Sequence, residues 1–322
     1  MPAGFGYPPP VTPRPTTLDS HASRTAGLGA LHERPVAAAV LGAVIIAFSG
    51  ILVKLAGVPP ASAAVFRCAY ALPFLLAIAV AERRAFGPRP RSQVLLAWLA
   101  GIFFAVDLEL YHHTIALVGA GLATVLGNTQ VVFVAVLAWL FLRESLPLRI
   151  AIAIPVVLSG VVLVSGVIGA DAYGANPQLG VLAGLTTGLS YAGFLIILRL
   201  GNADLRRPAG PLFDATLSAT LVLLLIGWPL GELQLVPTWP AHGYLFALAF
   251  SSQVVGWLLI SVSLPRLPSA LSSVVLTIQP LSAVLLAMLL VSEEPSAIQL
   301  LGGAIILVGL LMATLRRRTE PA

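Results

Sequence analysis

Residues 120–144 read AGLATVLGNTQVVFVAVLAWLFLRE, and residues 269–293 read SALSSVVLTIQPLSAVLLAMLLVSE. Sliding the chain by 149 residues places Leu122, Val125, Gln130, Ala138, Leu140 and Glu144 on Leu271, Val274, Gln279, Ala287, Leu289 and Glu293, and further on Leu158 and Gly160 on Leu307 and Gly309. Leucine matches arise easily by chance in so apolar a chain. The Gln, Glu and Gly matches carry the weight, and they mark an internal repeat.

Working outward, the apolar runs fall at about 36–57, 61–81, 93–117, 120–142, 149–168, 179–200, 210–231, 241–264, 269–291 and 297–315. Each has about the 20 residues a helix needs to cross a ~30 Å hydrocarbon core. Pro59-Pro60, Arg89-Pro90-Arg91, Asn176-Pro177, Arg207-Pro208, Pro237, Pro240, Pro265, Pro268 and Pro295 punctuate the breaks. Of the 322 residues 58% are hydrophobic and 10% charged, against ~25% charged in a soluble domain. The expected fold is therefore an all-α integral membrane protein of ten transmembrane helices. The 149-residue shift crosses five spans, an odd number, so the second copy re-enters from the opposite side and the two five-helix repeats are inverted.

Charge gives the expected orientation, because Lys and Arg in short loops stay cytoplasmic. With the N-terminus inside, Arg14, Arg24, Arg34, Arg83, Arg84, Arg89, Arg91, Arg143, Arg149, Arg199, Arg206, Arg207, Arg266 and Arg316 to Arg318 are cytoplasmic, sixteen of the eighteen basic residues. Lys54 and Arg67 lie within spans, and the outer loops have none. The expected organisation is a disordered cytoplasmic tail over 1–34, a first repeat over 35–168, an outer linker over 169–178, a second repeat over 179–315 and a basic tail over 316–322. The Pro-, Gly- and Ser-rich start lacks the apolar core of a cleavable signal. The location expected is the plasma (inner) membrane, with both termini cytoplasmic.

The formal charge of +5 is spread over short connections and tails, which excludes the clustered basic surface a nucleic-acid binder needs. Cys68, the sole cysteine, sits in an apolar run. It reads as a small apolar filler, and disulfides within the chain are excluded. Inverted halves are a recurrent construction of secondary transporters, which hold substrate near the midplane and expose it to each side in turn.

The third and fourth spans carry a resemblance. Asp107-Leu-Glu-Leu-Tyr-His112-His-Thr-Ile-Ala116, followed by Ala123-Thr-Val-Leu-Gly-Asn128, resembles the stretch D-L-x-L-W-H-x-x-I…A-T-L-L-x-N of the EamA-like permeases of the drug/metabolite transporter superfamily. Leu142-Arg-Glu144 and Gln279-Pro280…Ser292-Glu293-Glu-Pro295 resemble that family's ends of repeat. The resemblance runs from about residue 36 to 315. It implies a ten-helix, two-repeat carrier of metabolites, often acting outward. Val131 stands where the family usually has proline, which questions a kink in the fourth span, and Tyr111 replaces a usual tryptophan.

Ionisable groups within a span cost about 2.5–3.5 kcal/mol each to insert, so they face partners or water. Asp107, Glu109, His112 and His113 fall within seven residues of the third span. On a helix Asp107, Tyr111 and Thr114 share one face, while Glu109, His112 and His113 form an arc on the far side. Asp107 and His112 match the family stretch and are favoured for substrate binding or proton coupling, though about 140° separates them around the axis. Substrate hydrogen bonding and helix packing remain open for the same residues.

Arg67 is read as recognising an anion, as snorkelling to the outer interface, or as paired with Glu109 or Asp107. Lys54 is expected to snorkel to the outer interface rather than to bind an anion. Asn128 and Gln279 are each either substrate contacts or helix ties. Tyr191 and Trp257 are weaker cavity candidates, while Glu144 and Glu293 are expected at the water boundary in capping or junction roles.

The expected function is a secondary transporter moving a small polar or amphipathic metabolite, such as an amino acid, by alternating access, and acting as an exporter. Its partners are the small-molecule substrate, the lipid bilayer and a proton as coupling ion; a homodimer is left open, and neither nucleic acid nor a cofactor is expected. Two alternatives stand beside this. One is an intramembrane metal-dependent enzyme on Glu109, His112 and His113, disfavoured because such sites need three or four ligands, His242 is the only other histidine outside the tail, and no H-E-x-x-H motif is present. The other is a non-transporting scaffold.

Overall fold

The structure, a computed structural model, describes residues 34–314 except 144–145, 170, 202–203, 205, 264–266 and 268. The predicted tails, Glu144 and Arg266 lie outside the described residues. Among those described the chain is all helical. The helices are α1 (Pro35–Ala56), α2 (Pro60–Phe86), α3 (Arg91–Val118), α4 (Ala120–Phe141), α5 (Leu148–Val164), α6 (Pro177–Gly201), α7 (Ala209–Leu230), α8 (Ala241–Ser263), α9 (Ser269–Leu290) and α10 (Ala297–Thr314). Each expected span coincides with one of them to within about five residues. Eight have the length and apolarity to cross a membrane, while α5 and the Val275–Leu290 stretch of α9 are shorter apolar helices.

Proline and glycine set many of the boundaries. Pro35 and Pro60 open helices at their first positions, where a missing N–H is harmless. Gly57 and Gly231 close α1 and α7 in the left-handed conformation. The polarity of the molecule is reversed relative to a water-soluble protein. Leu225 and Leu289 are 75% and 78% exposed, whereas Arg67, Asp107, His112, Gln253 and Glu293 are buried. A lipid-facing exterior around a polar interior accounts for both.

The helix pairing carries the repeat. The most extensive contacts join α3 to α6, α5 to α10, α3 to α7, α2 to α7, α1 to α9, α4 to α9, α4 to α6, α1 to α8 and α2 to α8. Replacing each helix by its counterpart five places away turns this set into itself: α3·α6 becomes α8·α1, α4·α6 becomes α9·α1, and α2·α7, α4·α9 and α5·α10 map onto themselves. Each half therefore packs mainly against the other, and the interior lies between them.

Three helices are irregular at similar depth. The first, α1, breaks at Phe48 between Pro35–Ala47 and Ser49–Ala56. Next, α4 breaks at Asn128 and Thr129, between Ala120–Gly127 and Gln130–Leu142. The missing proline at Val131 does not keep that helix straight. Asn128 Nδ2 donates to the Thr124 carbonyl at 2.8 Å and Thr129 Oγ1 to the Leu126 carbonyl at 2.6 Å, and Val131 and Val132 donate to carbonyls only three residues back. The side chains thus add a second donor to carbonyls that also accept from the Asn128 and Thr129 N–H groups. In α8, Ala249–Gly256 is π-helical, a widened turn that recurs at functional sites.

Where α5 crosses α10, a Cβ added to Gly160 would lie 2.6 Å from the Gly302 carbonyl, and one added to Gly302 the same distance from the Gly160 carbonyl. Only two glycines permit this approach. Gly160→Leu should lower the melting temperature of the detergent-solubilised protein, with an overpacking cost of about 1–3 kcal/mol. Gly303→Ala, whose new carbon would meet only Leu122 Cδ2 at 3.9 Å, should leave it unchanged.

Candidate functional site

At the centre, the broken segments and the π-helical turn converge on a cavity of about 60 Å³. Its lining includes Ile46 and Ser49 beside the α1 break, Gly127 and Asn128 at the α4 break, and Trp257 directly after the π turn. From α2 comes Arg67; from α3, Asp107 and Tyr111; from α6, Thr187 and Tyr191; from α9, Gln279. Both halves contribute. Of the residues singled out in the sequence, Arg67, Asp107, Tyr111, Asn128, Gln279, Tyr191 and Trp257 are brought together here, whereas Lys54, Glu109, His112 and His113 are not.

Arg67 and Asp107 are both buried, yet no ion pair joins them among the described residues, and neither does one join Arg67 to Glu109. Arg67 Nε instead donates to Gln253 Oε1 at 3.1 Å, and Gln253 Nε2 reaches Thr216 Oγ1 at 3.4 Å. Gln253 lies on the π-helical turn of α8, and the guanidinium is thus held by a neutral partner. Tyr111 shares a 2.9 Å hydrogen bond with Thr124 across α3 and α4. One wall is aromatic: Tyr191 and Trp257 meet edge-to-face at 6.1 Å, and Phe104 stacks on Phe194 at 4.6 Å. Thr187 Oγ1 is buried without a hydrogen-bond partner. Cys68 is a buried filler within the same core.

Sequence reasoning passed over Gln253 and Thr187. The signal for Gln253 was the same one used for Asn128, a sparse polar residue deep in an apolar span; Thr187 carries no such mark, since a threonine hydroxyl can return to its own helix.

A second cavity, of about 440 Å³, is lined by Val53, Lys54, Pro60, His112, Ala116 and Tyr173 among others. Along α1 and α3 its residues follow those of the central cavity by about one turn, so the two lie in series. It stands at the end of the bundle whose loops lack Lys and Arg, called the neutral end for that want of basic residues although Asp171, Glu232, Glu293 and Glu294 lie there. His112 lines this cavity, its Nδ1 3.2 Å from the Pro60 carbonyl and its Nε2 without a partner. The 140° separation from Asp107 is thereby explained: the two line different cavities. The cluster of Glu109, His112 and His113 on which the disfavoured enzyme alternative rests does not assemble, because His112 turns toward α2 while His113 Nε2 lies 3.1 Å from Glu109 Oε1 and 3.4 Å from Glu232 Oε2.

Lys54 does not snorkel. Its Nζ pairs with Glu293 Oε1 at 2.9 Å and donates to Tyr173 Oη at 3.1 Å. Nor is Glu293 at the water boundary; only 2% exposed, it accepts from the backbone N–H groups of Ala120 at 2.7 Å and Gly121 at 3.1 Å. Capping was expected of it, but the helix it caps lies in the other half. Gly119 makes room: with φ +88 it adopts a conformation that side chains avoid, and a Cβ there would meet the carboxylate at 2.7 Å. Gln299, fully buried, bonds the Tyr173 N–H and carbonyl and the Val164 carbonyl, fixing the linker that presents Tyr173.

The opposite, basic end has its own carboxylate cap, Glu82 accepting from Ala209 N at 3.0 Å and Gly210 N at 2.8 Å. Beside it Arg89 pairs with Asp214. In the α6–α7 connection the Arg206 guanidinium and N–H hold the partly exposed Asp204 carboxyl down to about 2.

The model of the EamA-like transporter family matches residues 34–166 and 178–315. No curated protein matches. Among the solved structures, 25 chains match; one, described only as the crystal structure of a protein, is 18% identical with a TM-score of 0.57, over 86% of this chain and 96% of that one. That likeness shows the fold alone.

Removing one member of a buried, hydrogen-bonded charge pair costs about 3–5 kcal/mol. Glu293→Ala should therefore destabilise the solubilised protein by that order in thermal denaturation. Lys54→Met should cost less, because Lys54 is one-third exposed and leaves both cap bonds in place.

Proposed function

The chain belongs to the EamA-like transporter family, and from that premise we propose that it is a secondary transporter exporting an amino acid or a related zwitterionic solute by alternating access. In this reading all ten helices cross the plasma membrane as inverted halves, with both termini and the basic end cytoplasmic. The observation that carries it is the central cavity, walled by both halves, with a buried cation and a buried carboxylate that are not paired with each other. An amino acid supplies the complement: its carboxylate to the Arg67 fork, its ammonium to Asp107, and its side chain to the wall of Tyr191 and Trp257. Thr187, Asn128 and Gln279 complete the hydrogen-bonding groups.

The cavity's 60 Å³ is well below the ~300 Å³ of a ligand pocket, so this conformation is closed around the centre. Opening toward the neutral end joins the centre to the cavity above it, past the Tyr111–Thr124 hydrogen bond. Opening at the basic end admits cytoplasmic substrate. In this reading the rocking of one half against the other remakes the contacts between them, which are the more extensive ones.

In proteoliposomes, wild-type protein should give saturable amino-acid flux, and Arg67→Met or Asp107→Asn should lower it at least tenfold while protein yield is retained. Full flux in the double variant would refute this site. Should Asp107 also carry the coupling proton, Asp107→Asn will lose acceleration by a pH gradient while residual exchange of substrate for substrate persists. An unchanged response to the gradient would remove Asp107 from coupling.

A further inference from the structure

Apart from both cavities, three side chains meet at the neutral end. Glu109 and His113, four residues apart on α3, project to one side of the helix. Glu232 comes from the other half, on the segment after α7, and that segment is fixed to α2 through Ser62, whose Oγ donates to the Glu232 carbonyl at 2.9 Å and accepts from Gln234 N at 2.7 Å. Their ligating atoms all lie within 4.8 Å of one another. We propose that Glu109, His113 and Glu232 form a binding site for a divalent transition-metal cation of the zinc type, which ties the first half to the second.

Three observations support it. Tetrahedral zinc, with bonds of about 2.0–2.1 Å, holds its ligand atoms about 3.3 Å apart; His113 Nε2 already stands 3.1 Å from Glu109 Oε1 and 3.4 Å from Glu232 Oε2. Small adjustments suffice to seat the ion. Glu109 is only 7% exposed, yet its Oε2 has no hydrogen-bond partner, and neither does Glu232 Oε2. Buried carboxylate oxygens stripped of water call for a cation. Lastly, the site has an entrance: the His113 side chain is 34% exposed, five residues before the end of α3.

The donor set selects the ion. An imidazole nitrogen favours zinc, cobalt or nickel over magnesium and calcium, which prefer all-oxygen shells. Two carboxylates and one neutral imidazole balance a dication and leave a fourth position for water. No turnover is implied; the expected effect is mechanical, a clamp between α3 and the α7–α8 connection.

The test is zinc titration of the full-length protein in detergent, with stoichiometry from equilibrium dialysis and melting temperature read in parallel. The N-terminal tail contains His21 and His32, so the informative quantity is the difference between variants. Wild type should bind one zinc per chain more than Glu232→Gln and His113→Asn, or bind it at least tenfold more tightly. Zinc should raise the melting temperature of wild type alone, and millimolar magnesium should not substitute. Glu232→Gln lies outside the helices, so it keeps the test decisive if changes in α3 impair folding. Equal stoichiometry and affinity in wild type and Glu232→Gln would overturn the site and leave the cluster as an ion pair only.

Discussion

A helix whose start is enclosed by protein leaves its first N–H groups without water, and each unmet buried group costs about 1–3 kcal/mol. Much of this molecule's construction follows from that constraint. Glu293, at the end of α9, closes the start of α4, and Glu82, near the end of α2, closes the start of α7. Both caps run from one half to the other. The carboxylate also favours the positive end of the helix dipole. Lys54 then neutralises Glu293, Tyr173 joins Lys54, and Gln299 holds the linker bearing Tyr173. A single unmet backbone need thus draws α1, α4, α9, α10 and the linker between halves into one arrangement.

The same economy of polar groups shapes the central cavity. Breaks in α1 and α4 and the widened turn in α8 expose polar backbone and side chains only where both halves enclose them, as irregular backbone at membrane depth requires. Arg67 could have been neutralised by Asp107, the nearest acidic candidate in sequence terms. Gln253 takes its Nε instead, so the two buried groups are not joined as an ion pair.

The fold was legible in the sequence because its signals are long-range averages: apolar runs of membrane length, a charge asymmetry and a repeat. Position along a helix was equally legible, so Arg67, Asp107, Tyr111, Asn128 and Gln279 could be picked out as deep polar residues. What the sequence could not give was azimuth and partner. His112 and His113 are adjacent, but one turns to Pro60 and the other to Glu109 and Glu232. Lys54 resembled a snorkelling side chain because its partner, Glu293, lies 239 residues away. The break in α4 was in doubt for want of a proline, although Asn128 and Thr129 make it by hydrogen bonding to carbonyls. The π-helical turn left no trace in the hydrophobic pattern, and with it Gln253 was missed.

The span of the Glu293 cap has a bearing on how the protein is made. Ala120 and its acceptor are separated by 173 residues. At synthesis rates of ~5–20 residues per second, roughly 10–35 s pass between emergence of the start of α4 and emergence of the carboxylate that completes it. During that interval the nascent chain holds an open helix end at the bilayer surface, where interfacial water or the insertion machinery must serve in its place. The last quarter of the polypeptide therefore finishes a structure begun in the second, and a chain truncated before α9 would leave the ribosome with the start of its fourth helix still uncapped.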